Sequence, residues 1–167
     1  SDELTQFAKQ AGIPICSTLM GLGAFPESDD LSLRMLGMHG AVYANYAIDN
    51  ADLMLAFGVR FDDRVTGKLD AFASRASIVH VDIDPAEIGK NKKPHCSIFS
   101  NIKPALRLLN EKMSRETNLP DFSAWRNECN EQQKLHPFPM PNLQNDEISP
   151  QAAIQLLYEV TNGEAVI

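Results

Sequence analysis

Five charged side chains fall within nine residues after Gly58: Arg60, Asp62, Asp63, Arg64 and Lys68. Groups of both signs at that density can bind a ligand, pair with one another or move a proton. Proton transfer is the weakest of these, because adjacent Asp62 and Asp63 point in different directions, whereas a general acid and base must converge on one group. Binding suits the pattern better. A second set closes the run SIVHVDID, residues 77–84. There Asp82 and Asp84 are placed either to accept hydrogen bonds from ribose hydroxyls or to cap the turn into Pro85. Among the four histidines, His39 in Gly37-Met38-His39-Gly40 is the site candidate; His80 lies inside a strand and reads as a satisfied, partly buried residue, while His95 and His136 sit beside loops.

A self-contained active site is not evident. The chain has no G-x-S-x-G, H-E-x-x-H or G-x-x-x-x-G-K-[ST], and Gly21-Leu22-Gly23 supplies only the first two positions of G-x-G-x-x-G. Cys16, Cys96 and Cys129 are odd in number and widely spaced, which argues against a disulfide framework and a structural zinc site. They read as small buried residues.

The elements that must position these residues alternate. Ser1, Asp2 and Glu3 start a helix that Gly12 ends. Residues 13–16 read as a strand leading to the glycine-containing loop 17–23. Residues 31–36 read as a turn of helix, and residues 41–48 as a longer one. The apolar run Leu53, Met54, Leu55, Ala56 and Phe57, bounded by Asp52 and Gly58, is expected to be a strand buried on both faces. Residues 69–76 have helical character, residues 77–84 form the clearest strand, and residues 96–99 form a last one. Asn101 caps a helix, and residues 121–135 form another with Trp125 as packing anchor. Strands alternating with helices predict an α/β fold, a parallel sheet flanked by helices, whose ligands sit beyond the carboxyl ends of the strands.

Residues 136–148 are proline-rich and polar and read as a linker. Ser149 and Pro150 then open a new helix, with a strand expected after Gly163. Its partners are expected to be absent, so its apolar face should be open. The division expected is therefore 1–135 as a nucleotide-binding domain, 136–148 as linker and 149–167 as the start of a second domain. Without an initiator Met and with its end inside a strand, the sequence is expected to be a fragment. Hydrophobic residues make up 44% of the 167, enough for a real core. A net charge of −7 and no basic stripe argue against nucleic acid as a partner. No apolar run approaches a membrane span.

The stretches STLMGLG from Ser17, LGMHGAVYAN from Leu36, AFGVRFDDRVTGKL from Ala56 and AFASRASIVHVDIDPAEIGKNK from Ala71 closely resemble acetohydroxyacid synthase, also called acetolactate synthase, and most of all its plant catalytic subunit. That resemblance covers nearly the whole chain. It implies the central domain of a thiamine-diphosphate enzyme, holding extended FAD, in a parent that condenses pyruvate with pyruvate or 2-oxobutanoate in branched-chain amino-acid synthesis. Its FAD contacts would fall on Thr18 and Leu19; Leu36, Gly37, Met38 and His39; Gly58, Val59, Arg60, Phe61 and Asp62; and Asp82 and Ile83. Met38, Asp63 and Arg64 would border the channel where herbicidal inhibitors lodge. Ser100-Asn101 stands where the family has Gly-Asp, so Asn101 replaces an expected carboxylate contact. Thiamine diphosphate and Mg²⁺, the activating glutamate, a homo-oligomer, a possible regulatory subunit and a chloroplast location are implied for the parent, and the fragment alone should be inactive. Competing readings are a NAD-binding module of the sirtuin kind, disfavoured by the missing cysteine pairs, another thiamine-diphosphate enzyme, disfavoured by LGMHG with GVRFDDRVTGK, and a structural spacer.

Overall fold

The computed structural model describes residues 1–138 and 148–165. The chain divides into two compact units, Ser1–His136 and Pro137–Ile167.

In the first unit, five short strands alternate with helices. The order is α1 (Asp2–Ala11), β1 (Ile15–Ser17), β2 (Ser32–Met35), α2 (Val42–Asn50), β3 (Leu53–Phe57), α3 (Asp63–Thr66), β4 (Ser77–Asp82), β5 (Cys96–Phe99), α4 (Ile102–Met113) and α5 (Ser123–Leu135). Strand β1 pairs parallel with β2, and β4 lies between β3 and β5, also parallel. The pairing Leu53↔Ser77 through Phe57↔Val81 is unbroken, so β3 and β4 end together.

Period-two alternation sorts the side chains of β3 and β4 onto two faces. Met54, Ala56 and Ile78 join Leu33, Tyr43, Ala44, Ala47, Phe61, Phe72 and Cys129 in one hydrophobic cluster, which runs from β2 through α2 to α5. Trp125 packs against it, as a partly buried residue. On the opposite face Phe57 meets Phe7 of α1 edge to face, with centroids 6.1 Å apart. Helix α1 lies along α4, where Asn110 Nδ2 donates to the Glu3 carbonyl and Arg107 pairs with the Glu3 carboxylate. Helices therefore cover both faces, as the alternation of elements predicts.

Several local expectations change. Residues 31–36 are not helical: Leu31, Leu33 and Met35 alternate with Ser32 and Arg34, a strand period, and β2 pairs with β1 from Ile15↔Ser32. Strand β1 begins two residues late, after Pro14, which has no N–H for a ladder. Strand β4 stops at Asp82, because Asp82 Oδ1 accepts the Asp84 N–H at 2.8 Å and turns the chain. Residues 69–76 form turns instead of a helix, with Ala73 at a φ of 46° and Lys92 Nζ holding the carbonyls of Leu69 and Phe72. Strand β3 is an edge of its sheet, so Leu53 is half exposed. Cys96, at the start of edge strand β5, is exposed instead of buried.

The second unit contains α6 (Pro150–Thr161), capped by Ser149 Oγ, which accepts the Ala152 N–H at 3.0 Å, and closed by Asn162 in the left-handed region. Its Ile154, Leu156, Leu157, Tyr158 and Val160 are exposed. Most of the expected linker, residues 139–147, and the last two residues of the expected strand lie outside the described residues, while Glu164 and Ala165 belong to no regular element.

Candidate functional site

Because the strands within each sheet are parallel, every loop that leaves a carboxyl end opens toward a ligand crevice of the kind open α/β sheets use. Main-chain hydrogen bonds tie neighbouring loops together. Leu36 N–H donates to the Ser17 carbonyl at 3.1 Å, joining the exits of β1 and β2, and Met38 N–H donates to the Arg64 carbonyl at 2.9 Å, joining the exit of β2 to α3. Gly58 N–H donates to the Val81 carbonyl at 2.8 Å, and Asn91 Nδ2 to the Arg60 carbonyl at 3.1 Å. At the start of α4, Ile102 Cδ1 would lie 2.8 Å from any Cβ on Gly58, which has a φ of 64°. The residues singled out from the sequence thus sit on one chain of contacting loops.

The charged turn is more ordered than its composition suggests. Asp62 is the N-cap of α3: its Oδ1 accepts the Val65 N–H at 3.2 Å. Its Oδ2 takes both Arg60 Nη2 at 2.5 Å and Arg60 Nε at 3.2 Å. The Arg60 guanidinium, aided by the Val65 and Arg64 amides, holds the Asp62 carboxyl below the usual carboxylate range against the opposing effect of burial. In turn Asp62 raises Arg60. Asp63 is the first residue of α3 and is exposed, whereas Arg64 Nη1 reaches Met38 Sδ at 3.7 Å. Arg60 and Asp62 thus pair with each other, and Arg64 with Met38.

Leu36 and Phe61 are packed into the core, Val59 lies against it, and Gly37 is buried. Thr18 precedes a short 3-10 turn, Leu19–Gly21, and Thr18, Gly58 and Asn101 all keep some surface. Asn101 caps α4, its Oδ1 accepting the Lys103 N–H at 3.0 Å. His39 is exposed. Asp82 and Asp84 both act as turn caps, with Asp84 Oδ1 accepting the Ala86 N–H at 2.9 Å. Asp82 is nonetheless almost buried and has a second oxygen facing His80.

Does this rim fit a flavin nucleotide? Large apolar side chains in or just beyond the strand ends remain open to solvent, among them Leu19 at 68%, Met20 at 93%, Met38 at 60%, Ile83 at 61% and Phe99 at 66%. Exposed apolar surface that includes Met38, in contact with Arg64, suits a ligand with a flat ring and a charged linker. A separate polar cavity of about 600 Å³, lined by Asp29, Arg34, Asn127, Glu131 and neighbouring residues, lies near β2 and α5, away from these loops. Among the described residues no cluster of three or more His, Cys, Asp or Glu side chains could hold a metal ion.

Sequence reasoning missed three roles here. The helical cap role of Asp62 was legible in Asp62-Asp63-Arg64-Val65, an acid before a helical first turn. Asn45, whose amide holds both the N–H and the carbonyl of Gly37 at 2.8 and 3.0 Å, had no such signal. His80, fully buried and with neither ring nitrogen hydrogen-bonded, contradicts the reading of a satisfied, partly buried histidine.

Parallel strands flanked by helices, with the candidate residues on the carboxyl-end loops, define an α/β domain. The chain belongs to the family described as "Thiamine pyrophosphate enzyme, central domain", whose model matches residues 1–109. Among its relatives, acetolactate synthase 1, chloroplastic, of Nicotiana tabacum is 63% identical over 169 residues, covering 100% of this chain and 25% of the relative. The protein of the same name in Oryza sativa subsp. japonica is 61% identical over 168 residues, covering 99% of this chain and 26% of the relative. Acetolactate synthase, chloroplastic, of Arabidopsis thaliana is 58% identical over 170 residues, covering 100% and 25%. The chain thus spans about a quarter of the length of these relatives. The NAD-module alternative gains no support from them.

Proposed function

We propose that this chain is the flavin-holding part of an acetolactate synthase. The parent enzyme condenses pyruvate with a second pyruvate or with 2-oxobutanoate, releasing CO₂, in the chloroplast. The observation that carries this reading is the identity of about 60% to plant acetolactate synthases along the whole chain. For FAD, support comes from the exposed apolar rim at the strand ends, where Met38 contacts Arg64.

In this reading the exits of β1 and β2 offer Thr18, Leu19, Gly37, Met38 and His39, and the exit of β3 offers Gly58, Val59 and Arg60. Asp82, Ile83 and Asn101 serve the nucleotide end, and Met38, Asp63 and Arg64 border the approach to the reacting carbons. The domain division follows the same logic, with residues 1–135 as flavin domain, 136–148 as linker and 149–167 as the start of the diphosphate-binding domain. Thiamine diphosphate with Mg²⁺, held by regions outside these residues, supplies the carbon–carbon bond chemistry. Assembly as a homo-oligomer and control by a regulatory subunit belong to the parent.

The test is the absorbance spectrum and acetolactate assay of the full-length protein with thiamine diphosphate and Mg²⁺. A yellow protein whose activity depends on FAD is expected. A colourless preparation active without added FAD would refute the flavin reading, and sustained turnover by residues 1–167 alone would refute the division of labour.

A further inference from the structure

The middle strand of the three-stranded sheet carries a polar group that packing does not require. His80 lies opposite Ala56 of β3 and Ser97 of β5, is wholly shielded from solvent, and neither ring nitrogen has a hydrogen-bond partner. Buried polar atoms are seldom left so, and each calls for a reason. Location supplies one. Residues two apart in a strand share a face, which sets His80 Nε2 3.6 Å from Asp82 Oδ2, just beyond hydrogen-bond reach. Asp82 Oδ1 is already fixed by the Asp84 N–H, so Oδ2 is the oxygen whose surroundings are incomplete. The same imidazole stands edge to face on Phe61, with centroids 5.2 Å apart and planes at 81°. Phe61 in turn sits between Arg60 and Asp62, on the exit of β3. One ring touches both sides of the proposed nucleotide site.

We infer that His80 is a positioning residue: when a ligand engages Asp82, Nε2–H of His80 donates to Asp82 Oδ2 and fixes that carboxylate toward the vicinal hydroxyls of a ribose. A carboxylate that receives one N–H on each oxygen keeps a lone pair on each for a diol. No proton changes hands, since a neutral ring protonated at Nε2 suffices. The inference rests on the reading of Asp82 as a nucleotide contact.

The test is FAD titration of the full-length protein by quenching of flavin fluorescence, with wild type, His80→Gln, His80→Asn and His80→Leu, and with His80→Leu repeated in an Asp82→Ala background. A glutamine amide reaches the place of Nε2, and an asparagine amide that of Nδ1. Leucine and asparagine are expected to raise Kd about ten- to a hundredfold, glutamine to stay near wild type, and leucine to add nothing once Asp82 is replaced. Equal weakening by glutamine and asparagine overturns the inference, as does a leucine effect that persists in full without the Asp82 carboxylate, because either means that His80 acts through packing. If His80→Leu does not fold, the comparison of the two amides decides. A wild type that binds no FAD overturns the nucleotide reading and this inference with it; a wild type that binds while His80→Leu keeps the same Kd overturns this inference alone.

Discussion

Met38 and Arg64 are linked twice: the Met38 N–H donates to the Arg64 carbonyl at 2.9 Å, and Arg64 Nη1 reaches back to Met38 Sδ at 3.7 Å. This strap sets the exit of β2 against α3. It depends on Gly37, whose φ is 95° and whose Cβ, if present, would lie 2.5 Å from the Arg64 carbonyl oxygen. Asn45 braces the same glycine from α2 through both its amide atoms.

Gly37→Ala should therefore break the strap, since the added carbon meets main chain that cannot swing aside. The left-handed conformation alone costs a non-glycine residue about 1–2 kcal/mol, and the displaced hydrogen bond adds to it. Urea unfolding of the full-length protein is expected to show a lower midpoint at unchanged slope. Asn45→Ala should lower it as well, because it leaves Gly37 without either amide partner. A Gly37→Ala midpoint equal to wild type would mean that the strap is not formed in solution.

Phe61 combines burial with an unfavourable backbone. It is 3% exposed with a φ of 54°, and its ring packs on Phe72 at 6.2 Å as well as on His80. Phe61→Ala should cost about 3–5 kcal/mol, the range for emptying a buried aromatic site. Phe61→Gly relieves the left-handed conformation, worth about 1–2 kcal/mol, yet removes the same ring. Both variants should thus melt below wild type, and a glycine variant as stable as wild type would show that the ring's packing is worth no more than the backbone strain it carries.

How much of this was legible depended on whether the signal was local. Leu53–Phe57 and Ser77–Asp82 declared themselves as strands by apolar and β-branched runs, and their charged or acidic ends pointed at the crevice. Residues 31–36 were misread as a helical turn although Leu31, Leu33 and Met35 alternate with polar residues; six residues give either period little weight, and pairing with β1 decided the outcome. The missing helix at 69–76 has the opposite cause. Its propensity is overridden by Lys92, some twenty residues away, which holds two of its carbonyls. At the site, residue identities followed from motif likeness, but the pairing of Arg60 with Asp62 and the orphaned nitrogens of His80 are tertiary facts. Nothing in the spacing says which of two acids a guanidinium will choose.

The three cysteines should separate by reactivity. Burial pushes the Cys16 thiol up to about 12 and the Cys129 thiol up to about 11, and a nearby second thiol reinforces the shift at Cys16. Near pH 8 neither then carries much thiolate, the reactive form. Cys96 lies exposed on edge strand β5. Brief alkylation of the native protein followed by peptide mapping should place the first label on Cys96, with Cys16 and Cys129 modified only after urea is added. Rapid labelling of Cys129 in the native state would indicate that α5 does not stay docked on the core.

Asp62 provides a pH test of the charged turn. Its carboxyl is held below the usual range, chiefly by Arg60, so the folded state binds that proton less readily than the unfolded chain does. The resulting stabilisation is present above the unfolded value, near 4, and is lost as pH falls through the lowered folded value. Asp62→Asn keeps an acceptor for the Val65 N–H but cannot pair with Arg60, so its deficit against wild type should be constant from neutral pH to about pH 5 and shrink in more acid solution. Asp62→Ala also loses the cap and should cost a further amount of about 0.5–2 kcal/mol that persists at low pH. Carboxyl-carbon NMR titration supplies the direct check: a resonance titrating below the ordinary carboxylate range supports the pairing. A resonance at the ordinary value would mean that the Arg60 contact is not populated, and the turn would then present Arg60 unpaired to whatever ligand the strand ends receive.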